Sequence, residues 1–171
     1  MEVTLLIEKH RTEIETLLAE NPAERKRAAL MPLLYLAQKE YGYLSLEALD
    51  EIGALMGLNS AEVASLAGFY TLYHQHPGGR RRVQICTDLP CALRGADQFA
   101  ADLCTNLHIR LGETTADGEF TVEAVTCLAG CKNAPLFQVQ TAEGVHYYEG
   151  TPEQPLTADR ALQLLEGLKG N

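Results

Sequence analysis

The sequence has few basic residues for its size, and this shortage excludes several kinds of partner. Of its 171 residues only 14 are Lys or Arg, against 23 Asp or Glu, and the formal net charge is -9. An acidic surface repels nucleic-acid backbones and anionic lipid. Helix-turn-helix spacing occurs between Leu44 and Tyr70, but its second helix, S-A-E-V-A-S-L-A-G-F-Y, contains no Arg or Lys to contact DNA. We therefore expect no nucleic-acid partner.

Long apolar runs and nucleotide-binding glycine motifs are also missing. The longest apolar runs, such as residues 28–37, fall far short of the roughly 20 residues needed to cross a bilayer. The amino terminus lacks the basic start and the small-residue cleavage site of a signal peptide. Neither G-x-G-x-x-G nor a phosphate-binding loop is present. The first two absences predict a cytoplasmic chain with no direct membrane insertion, and the third predicts that the chain by itself binds no nucleotide cofactor through such a motif.

Helical patterns fill the amino-terminal part of the chain. Apolar residues recur at helical spacing, and capping residues and glycines mark the ends of the segments. The predicted helices cover residues 3–20, 22–41, 46–56 and 60–70, with N-caps at Asn21, Ser45 and Asn59. We expect Pro32 to kink the second helix. The turn-forming stretch H-P-G-G then separates a four-helix region, residues 1–78, from a second domain, residues 79–171.

The second domain changes to alternating patterns. The predicted strands are residues 82–86, 120–125, 136–140 and 145–148, and the predicted helices are residues 96–107 and 158–168. T-A-E-G between the last two strands predicts a hairpin. The order β-α-β-β-β-α predicts a small α/β sandwich, so the whole chain is of the mixed α/β (α+β) class.

Four of the five cysteines form two pairs, and each pair follows a predicted strand. C-T-D-L-P-C contains Cys86 and Cys91, and C-L-A-G-C contains Cys127 and Cys131. Thiolates from two strand-end loops can bind a zinc ion or an iron–sulfur cluster. A binuclear cluster needs two thiolates on each iron, so we assign the first pair to one iron and the second pair to the other. Four-cysteine zinc tolerates the same spacing and stays an alternative.

The residues around the cysteine pairs also fit a cluster. Gly95 and Gly130 allow close approach of the backbone, and Pro90 stiffens the first loop. Cys104 lies among apolar residues of a predicted helix. We predict that Cys104 is buried core and no part of the site.

Several stretches make the chain similar to a known family. They are A-A-L-M-P-L-L-Y-L-A-Q-K-E-Y-G-Y-L-S, E-V-A-S-L-A-G-F-Y-T-L-Y, C-T-D-L-P-C-A-L-R-G and C-L-A-G-C-K-N-A-P-L-F-Q-V. Through them the chain resembles the thioredoxin-like 2Fe-2S subunit of NADH-quinone oxidoreductase (respiratory complex I). The resemblance implies an N-terminal helical bundle followed by a thioredoxin-like 2Fe-2S ferredoxin domain. The family's ligand positions carry over to Cys86, Cys91, Cys127 and Cys131. One departure is Ala129, where the family usually has glycine directly after Cys-Leu.

The resemblance also implies partners and a function. Such a chain docks, through its amino-terminal helices, on the flavin-bearing NADH-oxidising subunit beside other peripheral-arm subunits. Its one 2Fe-2S cluster exchanges single electrons with the flavin. FMN and NADH would be bound by the partner, so this chain is expected to lack catalytic residues of its own and to lie in the peripheral arm of a membrane-associated complex.

Two alternatives stay open at the level of sequence. NAD-reducing hydrogenases and NAD-dependent formate dehydrogenases contain equivalent subunits, and the sequence does not choose between these complexes. A zinc-stabilised interaction module without a redox role is an alternative of a different class, because the cysteine spacing also suits zinc.

Overall fold

The chain divides into two compact units, Met1–Pro77 and Gly78–Asn171. A computed structural model describes residues 6–21 and 23–169. Within those ranges there are eight α-helices and one four-stranded mixed sheet, and each unit has its own apolar core. The predicted mixed α/β class is therefore confirmed.

The first unit is helical. Its α-helices are α1 (Leu6–Lys9), α2 (Arg11–Ala19), α3 (Leu30–Tyr41), α4 (Leu46–Met56) and α5 (Ser60–Phe69), with a 3-10 helix at Ala23–Ala29. The core is formed by fully buried apolar side chains from α1 to α5, among them Leu6, Ile14, Leu33, Ile52 and Val63. Periodic burial of one face of each helix thus accounts for the apolar spacing in the sequence.

Side-chain caps fix where α4 and α5 begin. The Ser45 hydroxyl oxygen accepts a hydrogen bond from the Ala48 N–H at 3.2 Å. Asn59 Oδ1 accepts from the Glu62 N–H at 2.9 Å, and Glu62 Oε2 accepts from the Asn59 N–H at 3.3 Å. Gly57 ends α4 with φ 67°. The predicted caps and lengths of these two helices are confirmed.

The first predicted helix, residues 3–20, is divided in the structure. The break lies at His10, where φ is -120° and ψ is 27°. The His10 ring contacts Glu40 of α3, with Nε2 at 3.0 Å from the carboxylate. The spacing of apolar residues does not reveal a break of one residue, because the apolar residues before and after His10 pack against the same core. Residues 3–5 lie outside the described residues.

The second predicted helix, residues 22–41, is α-helical only from Leu30. Its predicted start at Pro22 lies outside the described residues. The segment Ala23–Ala29 is 3-10, with non-helical angles at Arg25, and residues 25–28 are exposed. Without packing, this short charged stretch has little to hold it in an α-helix. Pro32 falls in the first turn of α3, where its missing N–H has no intrahelical partner to lose, so the expected kink is wrong.

The second unit is built on a mixed sheet in the order β2-β1-β3-β4. Its strands are β1 (Arg81–Cys86), β2 (Phe120–Val125), β3 (Leu136–Thr141) and β4 (Gly144–Glu149), and its helices are α6 (Leu89–Ala92), α7 (Ala96–Asn106) and α8 (Ala158–Leu168). β1 is parallel to β2, whereas β1 with β3 and β3 with β4 are antiparallel. The predicted strands and hairpin are confirmed to within a residue or two, whereas the one-turn helix α6 was not predicted.

The two faces of this sheet differ in chemistry. One face packs against α7 and α8 and forms the apolar core: Val83, Ile85, Phe99, Leu103, Cys104, Phe120, Val122, Phe137, Val139, Ala161 and Leu165. The other face is polar: Gln138 Nε2 donates to Gln84 Oε1 at 2.7 Å, and Arg82 pairs with Glu123. The alternation seen in the sequence is therefore the alternation between these faces.

Within the described ranges, no single helix is long and apolar enough to cross a membrane. Among the described residues, only α4 and α5 taken together are long and apolar enough, and this pair of helices is bent by 114° at the break between them.

The capping box of α5 allows a prediction about stability. Asn59→Ala removes the acceptor for the Glu62 N–H and should lower the free energy of unfolding by about 1 kcal/mol. Denaturant unfolding followed by circular dichroism measures this change. Ser65→Ala is the matched control, because the exposed Ser65 hydroxyl only donates to the Ala61 carbonyl of its own helix. It should change the free energy by less than about 0.5 kcal/mol, and equal effects of the two substitutions would contradict the role of the cap.

Candidate functional site

The parallel strands β1 and β2 bring the two cysteine loops to one edge of the sheet. Cys86 is the last residue of β1 and lies opposite Val125, the last residue of β2. The Thr87 N–H extends the pairing by donating to the Val125 carbonyl at 3.1 Å. Because the carboxyl ends of parallel strands meet at the same edge, the loops that carry the two cysteine pairs leave the sheet side by side.

The first loop presents Cys91 from a short helix. Asp88 accepts a hydrogen bond from the Leu89 N–H at 3.0 Å and starts α6, in which Pro90 directly precedes Cys91. Gly95 then adopts φ 89° and begins α7, a conformation that a residue with a Cβ rarely takes. Cys86 and Cys91 are both fully buried. The end of β1 and the short helix α6 therefore place the thiols of Cys86 and Cys91 in the interior of the second unit.

The second loop holds its cysteines differently. Cys127 is exposed and Cys131 is half-buried at the start of a 3-10 turn. Cys86 and Cys91 belong to one small buried cluster, and the partly buried Cys131 packs against it. In the part of the chain that the structure describes, no three His, Cys, Asp or Glu side chains are arranged to bind a single metal ion. Three of the four predicted ligands nevertheless pack into one cluster, whereas Cys127 lies exposed on the second loop.

Burial governs the acidity of the Cys91 thiol. Burial first, and then the neighbouring thiols of Cys86 and Cys131, raise the pKa of Cys91 to about 12. Removing a thiol from water disfavours its charged form, and a second thiolate nearby would disfavour it further. As a free group Cys91 is therefore protonated at neutral pH, and only a bound cation would make its thiolate favourable.

Comparison with known protein families identifies the family of this chain. A family model described as thioredoxin-like [2Fe-2S] ferredoxin matches residues 14–169. The chain belongs to this family. The match includes both cysteine loops and most of the helical first unit.

Relatives of this thioredoxin-like ferredoxin have names that point to one kind of complex. It is 44% identical over 129 residues to a subunit of NADH-quinone oxidoreductase of Rhizobium meliloti, covering 75% of this chain and 76% of that one. It is 35% identical over 160 residues to "NADH dehydrogenase [ubiquinone] flavoprotein 2, mitochondrial" of Dictyostelium discoideum, covering 93% of this chain but only 61% of that one.

A solved structure shows the same fold in a larger chain. The crystal structure of NAD+-reducing [NiFe]-hydrogenase in the H2-reduced state matches with a TM-score of 0.57 at 23% identity. The match covers 81% of this chain and 22% of the hydrogenase chain. The ferredoxin fold therefore forms a minor part of that protein.

The backbone of the second loop fits the cluster that gives this ferredoxin family its name. Within the described residues, the N–H groups of residues 128–131 donate to no acceptor. Cys127 and Ala129 have positive φ, 36° and 62°. Such turns can direct successive N–H groups into a concave, anion-binding surface. An iron–sulfur cluster requires cysteine sulfurs as ligands for its irons. It also favours free N–H groups nearby, because its sulfurs accept hydrogen bonds.

Two side chains of this site were missed in the sequence. Tyr147 and Glu149 of β4 reach the second loop, where Tyr147 Oη donates to the Leu128 carbonyl at 3.1 Å and Glu149 Oε1 accepts from Asn133 Nδ2 at 2.9 Å. The signal that could have found them is the hairpin register, which places Glu149 opposite Leu136, shortly after the loop. Cys104, by contrast, is buried in the core under α7, as predicted.

The φ of Ala129 yields a prediction. A Cβ at positive φ costs about 1–2 kcal/mol, part of which is recovered as lower chain entropy in the unfolded state. Ala129→Gly should therefore raise the free energy of unfolding by about 0.5–1 kcal/mol, measured by thermal unfolding. Ala142→Gly in the β3–β4 turn is the control, because Ala142 is not among the residues with positive φ. It should lower stability, and a loss of stability in both variants would contradict strain at Ala129.

Proposed function

We propose that this chain is the electron-transfer subunit of an NADH-oxidising complex and binds one 2Fe-2S cluster. The observation that carries the proposal is the meeting of two cysteine loops at one edge of the β1–β2 pair, where Cys86 and Cys91 are buried together and Cys131 packs against them. Family membership adds the cluster type. When bound, the cluster takes up and releases single electrons.

In this proposal the four loop cysteines have separate tasks. Cys86 and Cys91 hold one iron from rigid, buried positions at the end of β1 and in α6. Cys127 and Cys131 hold the other iron from the second loop. Cys127 has to turn inward from its exposed position, so we expect cluster binding to order this loop. The coupling is ordinary for metal sites, where binding free energy also stabilises the fold around the site.

The names of the relatives support a partner for this chain. Subunits of NADH-quinone oxidoreductase are among them, and we infer that this chain serves the same kind of complex. Its cluster would exchange electrons with the FMN of a separate NADH-oxidising subunit. An equivalent role in an NAD-reducing hydrogenase is the second candidate, since the same fold lies within such a protein. The chain alone then carries no complete active site.

The first test is the cofactor content of the purified full chain. We expect about two irons and two acid-labile sulfides per chain, and a rhombic S = 1/2 EPR signal after dithionite reduction. Single Cys→Ser substitutions at Cys86, Cys91, Cys127 and Cys131 should each reduce the iron content, whereas Cys104→Ala, the matched control in the core, should not. In Mössbauer spectra Cys86→Ser should perturb one iron more than the other.

Other metal contents would contradict the proposal in distinct ways. One zinc and no sulfide would identify a zinc-stabilised interaction module. A cluster that survives substitution of Cys127 but not of Cys104 would overturn the ligand assignment while leaving the electron-transfer function intact.

The docking surface that we propose lies on the first unit. Phe69, Tyr70, Tyr73 and Tyr35 form a chain of edge-to-face ring contacts, with centroids 5.1, 6.3 and 5.1 Å apart. The Phe69 side chain is 78% exposed, and Tyr35 and Tyr70 are also exposed. Tyr73 anchors the chain by donating to the Met31 carbonyl at 3.0 Å. Exposed aromatic clusters of this kind are typical of protein interfaces.

Removing one ring tests this surface. Phe69→Ala in the full chain should weaken binding to the purified flavin-bearing subunit at least tenfold, because exposed aromatic anchors often dominate an interface. Calorimetric titration measures the change. Leu111→Ala is the control, an exposed apolar residue of the second unit, and should leave the affinity within about twofold. Unchanged affinity for Phe69→Ala would place the docking surface elsewhere.

A further inference from the structure

Strand β4 holds the second cysteine loop from outside. Tyr147 and Glu149 are two residues apart, so their side chains lie on the same face of the strand. Tyr147 donates to the carbonyl of Leu128, the residue directly after Cys127, and Glu149 accepts from Asn133, two residues after Cys131. The two contacts therefore hold the loop on both sides of its second cysteine.

Gly130 lies between these contacts and shows how closely β4 approaches. A Cβ at Gly130 would overlap the Tyr147 hydroxyl and would lie 2.9 Å from Glu149 Oε2. The φ of Gly130 is -110°, which any residue can adopt. A side chain at Gly130 would therefore displace the tips of Tyr147 and Glu149, whereas the backbone conformation itself would accept one.

The charge of Glu149 acts within the same site. Partial burial, and then the charge of Glu149, raise the pKa of the Tyr147 hydroxyl, with smaller effects from the thiols of Cys86, Cys91 and Cys131. The Tyr147 hydroxyl is thus close enough to interact electrostatically with both the Glu149 carboxylate and the cysteine sulfurs. Glu149 Oε2 lies 2.9 Å from the place of a Cβ on Gly130, the residue before Cys131, so its charge acts at short range on a group bound by this loop.

We propose that Tyr147 and Glu149 are positioning residues of the cluster site, and this inference rests on the proposed function. Tyr147 keeps the loop of Cys127 and Cys131 in place for binding. Glu149 lowers the reduction potential, because one-electron reduction adds negative charge beside its carboxylate. In this arrangement two residues of β4 influence both how long the cluster stays bound and its reduction potential.

The charge is tested with Glu149→Gln in the full cluster-containing chain. The amide keeps an oxygen that can accept from Asn133 but removes the charge. The midpoint potential from an EPR-monitored redox titration should become more positive. Glu143→Gln is the matched control in the turn at the other end of the hairpin, and it should shift the midpoint far less. An unchanged or more negative midpoint for Glu149→Gln overturns this role. A purely structural contact would change thermal stability and leave the potential unmoved.

The hydroxyl is tested with Tyr147→Phe. Loss of the hydrogen bond to Leu128 should speed release of iron to a chelator roughly fivefold, as expected for one net hydrogen bond. Tyr148→Phe is the matched control, since Tyr148 belongs to the opposite face of β4 and stacks on Phe137 at 5.0 Å. Equal release rates for wild type and Tyr147→Phe overturn the positioning role.

The two levels of inference fail in different ways. A wild-type chain without iron and sulfide would overturn the proposed function and this inference with it. A wild-type chain with its cluster, combined with variants that match their controls, would overturn this inference alone.

Discussion

The parallel pairing of β1 with β2 is the constraint on which the candidate site depends. It fixes Cys86 opposite Val125, so the two cysteine loops begin at the same height on one edge of the sheet. Antiparallel strands would send those loops to opposite edges. The parallel arrangement needs a long crossover, and α7 supplies it by burying Phe99 and Leu103 against the sheet. The apolar core of the second unit thus sets the geometry of its thiols.

Electrostatics links the thiols to whatever they bind. Cys91 packs with Cys86 and Cys131, and its burial raises its pKa, so the Cys91 thiol resists ionisation. Metal ligation requires thiolates, and a cationic centre compensates for the loss of hydration. Binding would therefore release protons and draw in Cys127, which now lies exposed in a loop with positive φ. Binding of a cluster would therefore also fix the conformation of the second loop.

Local signals in the sequence predicted most of the fold. Ser45 and Asn59 mark helix starts because their side chains replace missing intrahelical partners, and that chemistry involves only three or four neighbouring residues. Alternation likewise located all four strands. The errors fall where local signals are silent. His10 interrupts a continuous apolar face, and the exposed residues 25–28 lack the packing that would stabilise an α-helix. Of the site, the two cysteine pairs were visible in the sequence as residues but not as an arrangement.

The contribution of β4 was hidden because it depends on two levels of structure at once. Alternation shows that Tyr147 and Tyr148 face opposite sides of the strand, and the stacking of Tyr148 on Phe137 assigns Tyr148 to the core. The hairpin register then places Glu149 beside Leu136 at the start of β3. The chain from β2 to β3 has to pass the end of β1 in the order β2-β1-β3-β4. A loop on that path ends beside β3, and only the folded chain shows that the Tyr147 hydroxyl of the next strand reaches the Leu128 carbonyl of this loop.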